Sequence, residues 1–258
     1  MKLIADGSRI LFSRVGQVLA NAAVIMLVAK TLGPVGQGHY SLTVALAMLL
    51  GSLLGGGMGL AAVPPLRRGV LAPSRMVNAQ TVWLTAMAAV LLLFAWWSSR
   101  PPQAEVLAAR LGWGPGVPLL AVLAAVSIMG FEIWSYDLLA RGRLVVGAWV
   151  NGVRAVGHLA AVGMLVLAGS LTFGRAVGVF ALAQAAGMIA LAVILLREIR
   201  RPMRRDPEPV PEVPVPAPDR DIPADLGARS LWGLIAFNLR RGWLGQLSAV
   251  AYFLLLRL

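Results

Sequence analysis

Apolar residues in this chain come in long blocks, not at scattered positions. No charged residue falls between Thr31 and Leu66, between Met76 and Ser99, between Leu111 and Phe131, or between Ala176 and Leu196, and only Arg154 interrupts Leu144 to Gly174. Each block reaches the roughly 20 residues that a helix needs to cross a bilayer. In lipid every backbone N–H and C=O must be satisfied within its own segment, which selects helices. The pattern therefore predicts an all-α polytopic bundle, with spans at 9–32, 38–63, 76–98, 118–140, 143–169 and 173–196 and a seventh helix at 228–257. Gly33-Pro34 is expected to stop the first span, Pro64-Pro65 the second, and Arg100-Pro101-Pro102 the third. Arg141-Gly142-Arg143 reads as a tight turn.

Composition agrees with the blocks. Of 258 residues 59% are hydrophobic and 13% charged, with mean hydropathy +0.78, which excludes a soluble domain. The net charge of +12 would point to nucleic acid in a soluble protein. Here the basic residues flank the apolar blocks, so they read as topology and no nucleic-acid partner is expected. The absence of cysteine excludes disulfides and thiolate metal sites, and no cofactor is expected. Ala20-Asn21-Ala22 has the form of a signal-peptidase site, but the apolar run continues to Ala29, as in an uncleaved first span.

Orientation follows from the loops. With the N-terminus inside, the cytoplasmic side carries 13 Lys and Arg residues (Lys2, Arg9, Arg14, Arg67, Arg68, Arg75, Arg141, Arg143, Arg197, Arg200, Arg201, Arg204 and Arg205), against four outside (Lys30, Arg100, Arg110 and Arg175). This places the chain in the inner (plasma) membrane with a cytoplasmic N-terminus. Trp96, Trp97 and Trp113 then fall at the outer interface, where anchoring explains them.

Residues 202–225 carry eight prolines and six of the eleven acidic residues, the composition of an extended tether. The chain thus divides into a six-helix lobe at 1–198, a cytoplasmic linker at 199–226 and a single helix at 227–258. Val15-Gly16-Gln17-Val18-Leu19-Ala20 of the first span aligns with Leu244-Gly245-Gln246-Leu247-Ser248-Ala249 after the linker. Membrane transporters are often built from two related bundles, so the final helix is expected to begin a second lobe that stops after this helix.

The run Ala29-Lys30-Thr31-Leu32-Gly33-Pro34-Val35-Gly36-Gln37-Gly38-His39-Tyr40-Ser41-Leu42 resembles the signature of polysaccharide-biosynthesis membrane proteins. These are the lipid-linked oligosaccharide flippases of the MOP exporter superfamily. Gly57-Met58-Gly59-Leu60-Ala61-Ala62, Leu138-Leu139-Ala140-Arg141-Gly142-Arg143 ahead of Asn151, and Phe253-Leu254-Leu255-Leu256-Arg257-Leu258 are similar to further stretches of that family. The resemblance implies a non-enzymatic transporter that moves an isoprenyl-pyrophosphate-linked oligosaccharide for envelope or extracellular polysaccharide synthesis by alternating access. Membrane lipids and glycan polymerases or glycosyltransferases are the further partners it implies. A multidrug or cation antiporter, a peptidoglycan-precursor flippase of the same superfamily, and a non-transporting assembly partner in envelope glycan synthesis stay open beside it.

Ionisable residues within a span are candidates for function, since leaving one in lipid costs at least about 2.5–3.5 kcal/mol. Arg154 lies near mid-membrane in the fifth span, with Asn151 and His158 on the same helical face. Glu132 of the fourth span is expected beside Arg154, either as an ion pair that only locks two helices or beside a cationic site for a substrate phosphate. Arg14, Gln17 and Asn21 form a polar stripe on the first span, with Arg14 the second choice for a headgroup. Asn78, Thr81 and Thr85 form another stripe, read as lining a cavity or bonding between helices. The substrate-binding set is Arg154, Arg14, Asn151, His158 and Glu132. Asp137 and Arg141 read as a structural i,i+4 pair, Gly51, Gly55 and Gly59 as a close-packing groove, Lys30 as interfacial, and His39 as a loop residue. No HExxH, GxSxG or P-loop is present.

Overall fold

The computed structural model describes residues 2–55, 57–200, 223 and 225–243. Among them there is no strand, and the elements form a helical membrane bundle. Helix α1 spans Lys2–Gly55, α2 Met58–Arg67, α3 Pro73–Ser98, α4 Gln103–Leu111, α5 Val117–Ala140, α6 Leu144–Leu167 and α7 Phe173–Ile199. A short 3-10 turn, Leu226–Ala228, leads into α8 at 231–243.

Five helices are long and apolar enough to cross a membrane, and one of them, Gly7–Gly55, has 49 residues. At about 1.5 Å per residue that is more than twice the hydrocarbon thickness. The chain resolves the excess at Gly33, whose φ of 71° and ψ of 179° break the helix ahead of Pro34. Glycine holds this conformation without the clash that a Cβ brings. Before the break, Ser13 and Gln17 run alongside Ala148 and Asn151 of α6. After it, Gly51 and Gly55 run alongside Ala125 and Met129 of α5. Because α5 and α6 are joined by a tight turn and run antiparallel, the two arms of α1 do as well. The arms correspond to the first two predicted spans, and with α3, α5, α6 and α7 they give six long apolar helical segments.

The second predicted span ends differently. Its break lies at Gly57, in the left-handed region with φ 66°, and Pro64 and Pro65 sit inside the following helix α2. Proline removes its own N–H but has a helical φ. The carbonyls of Pro64 and Pro65 then accept from the N–H groups of Arg68 and Val70 and close the turn. The loop expected at 99–117 contains α4.

In lipid, helices associate through close packing and interhelical hydrogen bonds. The glycine groove does this along α5. A Cβ on Gly51 would stand 2.7 Å from the Ala125 carbonyl, and one on Gly59 would stand 2.9 Å from that of Ile133. Trp113, expected as an interfacial anchor, is instead 8% exposed. Its indole N–H donates to Thr43 Oγ1 at 2.8 Å, because a buried indole needs an acceptor. Trp96 and Trp97 are exposed, with the Arg100 guanidinium stacked over Trp96.

The chain after the linker is seated on the lobe. Leu226, Leu234 and Ile235 are buried against Met58, Leu71 and Met76, and Asn238 Nδ2 donates to Met76 Sδ at 3.3 Å. Arg75 Nη2 donates to the Arg229 carbonyl at 2.7 Å. The Gly242 backbone lies so close to Gly57 that a Cβ on Gly57 has no room. The expected helix at 228–257 is thus present as α8 over 231–243. The echo at 244–249 and the stretch 253–258 lie outside the described residues, as does most of the linker.

Candidate functional site

Three of the sequence-selected residues stand on one face of α6 because i, i+3 and i+4 neighbours share a face. Arg154 is the eleventh residue of this 24-residue helix, so it sits at mid-span. Its Nη1 donates to Gln184 Oε1 of α7 and its Nη2 to Asn151 Oδ1. The guanidinium carbon lies 4.9 Å from the centre of the Phe131 ring on α5. The stem of the side chain crosses Gly187, where a Cβ would stand 2.7 Å from Arg154 Cδ.

From there the polar groups continue towards both ends. Asn151 Nδ2 donates to Gln17 Oε1 on α1 at 2.7 Å, one turn from Arg14. Arg14 is exposed, and both it and Glu132 act electrostatically on Tyr136. In the other direction His158 is buried, with Nε2 at 3.4 Å from the Tyr40 hydroxyl and its ring against Phe180. Arg154, Asn151, His158 and, through Gln17, Arg14 therefore form one polar column about 15 Å long.

Glu132 does not join it as expected. Among the described residues it makes no ion pair with Arg154; instead Glu132 Oε1 accepts from Ser52 Oγ at 2.8 Å. Depth along the helices placed the two residues at similar levels, but α5 turns Phe131 towards Arg154 and Glu132 towards the returning arm of α1. Among the described residues, the hydrogen-bond partners of Arg154 are thus neutral.

A cavity of about 670 Å³ opens between α6 and α7. Its walls are almost wholly apolar, from Trp149 and Val153 to Leu182 and Ala186, and Arg154 and His158 lie at its floor. Trp149, Val153 and Leu182 are exposed, so the groove opens on the surface of the bundle.

Three other readings change. Asp137 and Arg141 make no ion pair among the described residues. Asp137 Oδ1 accepts from Gln80 Nε2 at 3.0 Å, and Arg141 Nη1 donates to the Glu198 carbonyl at 3.0 Å. Burial pulls the Arg141 guanidinium below its ordinary value, while Asp137 and Glu198 pull it back up. Thr81 and Thr85 are exposed and their hydroxyls donate to carbonyls four residues back on α3, so these two residues neither bond between helices nor line the cavity. His39 is helical, with its ring edge-on to Phe173 and pressed against Gly112.

Gln184 and Gln80 were missed at the sequence level. Each is the kind of polar residue that an apolar span seldom carries, and that was the available signal. Among the described residues no group of three or more His, Cys, Asp or Glu is placed to hold a metal.

Fold and site together define a polytopic helical membrane protein. Comparison with protein-family models, with curated proteins and with solved structures finds no match for this chain.

Proposed function

We propose that this bundle is a lobe of a transporter that moves an anionic isoprenyl-linked oligosaccharide across the membrane, with its pyrophosphate held at Arg154. One observation carries the reading: a guanidinium at mid-span, without a carboxylate partner among the described residues, in the lining of an apolar groove that opens on the surface of the bundle. A guanidinium cannot shed its proton in a protein, and its planar fork matches phosphate oxygens. Asn151 and Gln184 hold that fork in place, and both accept from it without cancelling its charge. The α6–α7 groove suits a branched hydrocarbon tail left in the bilayer while the headgroup stands in the polar column. His158, Gln17 and Arg14 extend the column for sugar or phosphate. In this reading the end bearing Arg67, Arg141, Arg143 and the N-terminus faces the cytoplasm.

The test is binding of a radiolabelled isoprenyl pyrophosphate to the protein in nanodiscs, together with surface-glycan export in cells. Arg154→Ala is expected to lose both while remaining in the membrane at normal levels. Normal binding and export by that variant overturns the reading. A second reading gains from the separation of Glu132 and Arg154: a carboxylate with only a hydroxyl donor among the described residues suits a cation exporter. Binding of tetraphenylphosphonium that Glu132→Gln abolishes, with no isoprenyl pyrophosphate binding, favours that second reading.

A further inference from the structure

Asp137 and Gln80 are among the most deeply buried polar side chains of the bundle, 1% and 0% exposed. One hydrogen bond joins them, from Gln80 Nε2 to Asp137 Oδ1 at 3.0 Å. The other two oxygens of the same pair, Asp137 Oδ2 and Gln80 Oε1, are both buried acceptors with no donor among the described residues. An ionised carboxylate accepts only, as does an amide oxygen, so the ionised pair leaves two orphans where water is excluded.

One proton removes both. On Oδ2 it turns the carboxylate into an acid that still accepts from Gln80 Nε2 and now has an O–H to donate. The amide oxygen that needs a donor belongs to the same Gln80 side chain, and a carboxylic acid and a primary amide complement each other through such a two-bond ring. We propose that Asp137 and Gln80 form an intramembrane proton-binding site, loaded in the conformation described here and closed by this acid–amide ring. Loading takes one proton from a hydronium ion and leaves a water molecule, with no other bond made or broken. Unloading leaves a carboxylate that must find water or a cation, so α3 has to move away from α5.

The surrounding charges fit a proton better than a metal cation. At this end the elements packed on α5 bring Arg14 from α1, Arg67 from α2, Arg75 from α3, Arg143 from the start of α6 and Glu198 from α7, besides Glu132, Tyr136 and Arg141 on α5 or its turn. Arg67 is turned to the Leu139 carbonyl, Arg75 to the Arg229 carbonyl, and Arg143 to Glu198 at 3.3 Å. Arg141 acts on Asp137 electrostatically, and a second cation there would meet its repulsion. The site also reaches α8. Met76, one turn before Gln80 on α3, accepts from Asn238, so separation of α3 from α5 disturbs the seat of α8.

Infrared difference spectroscopy of the protein in lipid nanodiscs tests this directly. The expected result is a protonated-carboxyl carbonyl band at neutral pH that is lost in Asp137→Asn, kept in Glu132→Gln, and shifted in Gln80→Leu, which removes the ring partner. The amide introduced by Asp137→Asn can pair with Gln80 as the acid does, so this variant is expected to keep the wild-type melting temperature and to lose its fall with rising pH. Should Asp137→Asn fail to fold, the shift in Gln80→Leu still decides. A band unaffected by both substitutions, or an Asp137 carboxylate already ionised at neutral pH, overturns the proposal. Loss of the band on adding sodium at constant pH also overturns it, because the site then takes an alkali cation.

Discussion

Arg154 and Asp137 are both ionisable residues inside the same bundle, and the structure treats them in opposite ways. Arg154 meets two amide oxygens and an aromatic face, and it lines a groove that opens on the surface of the bundle. Asp137 is short of donors and sealed between α3 and α5. The chemistry of the two groups accounts for the contrast. A carboxyl can neutralise itself by taking a proton, so it can be enclosed where donors are few. A guanidinium cannot, and its charge must be met by dipoles or by an anion from outside. Hence the arginine stands where a ligand can reach it and the aspartate where only a proton can.

The largest expected effect tests the arginine side. Arg154→Ala removes charge-assisted hydrogen bonds worth about 1.5–3 kcal/mol, a loss of about tenfold to hundredfold in affinity for isoprenyl pyrophosphate. Stability is expected to change little, because the acceptors left on Gln184 and Asn151 are offset by removal of a buried charge. Arg154→Lys is expected to fall between, since an ammonium is a point charge without the fork. Equilibrium binding and thermal melting in nanodiscs, measured on both variants, separate ligand from scaffold.

The aspartate is expected to behave in reverse. Asp137→Ala strips Gln80 of its partner and costs about 1–3 kcal/mol of stability, the penalty for a buried polar group left unsatisfied. Asp137→Asn is expected to stay near the wild type. Melting curves that rank the two substitutions equally would remove the contrast between the sites.

How far the sequence reached follows the same chemistry. Long apolar blocks revealed the membrane helices, because a membrane leaves little choice of backbone, and Gly33-Pro34 marks the first break. Boundaries were harder. Pro64-Pro65 looked like a stop, yet the break is at Gly57, whose φ of 66° is invisible until the chain is folded. Arg154, Asn151 and His158 were legible as one face, since helical periodicity is local. Partners across helices were not. Depth alone paired Glu132 with Arg154, but helix rotation gave Glu132 to Ser52; sequence spacing paired Asp137 with Arg141, which acts on it electrostatically, while the hydrogen bond of Asp137 goes to Gln80. Rotation is set by contacts such as Gly51 on Ala125, which no single span encodes.

A smaller effect sharpens the arginine side without deleting it. Gly187→Ala places a methyl 2.7 Å from Arg154 Cδ and obliges the side chain to shift. Overpacking of this kind costs about 1 kcal/mol, or about fivefold in ligand affinity. Alanine gains about as much in helix propensity, so the melting temperature is expected to hold while binding weakens. Unchanged binding would show that Arg154 has room to reposition and that its placement over Gly187 does not set affinity.

The smallest expected effect concerns the link between the two arms of the column, the hydrogen bond from Asn151 to Gln17 at 2.7 Å. Interhelical hydrogen bonds in membranes are worth about 0.6 kcal/mol on average, because the separated helices also find partners. A double-mutant cycle of Gln17→Ala and Asn151→Ala, read by melting in nanodiscs, is expected to give a coupling near that value. Binding should divide the pair where stability does not: Asn151 also orients the Arg154 fork, so its loss is expected to weaken ligand affinity more than the loss of Gln17 does. Equal effects on binding would mean that the column acts as one unit, with Arg154 held no more firmly by its neighbour on α6 than by the opposing arm of α1.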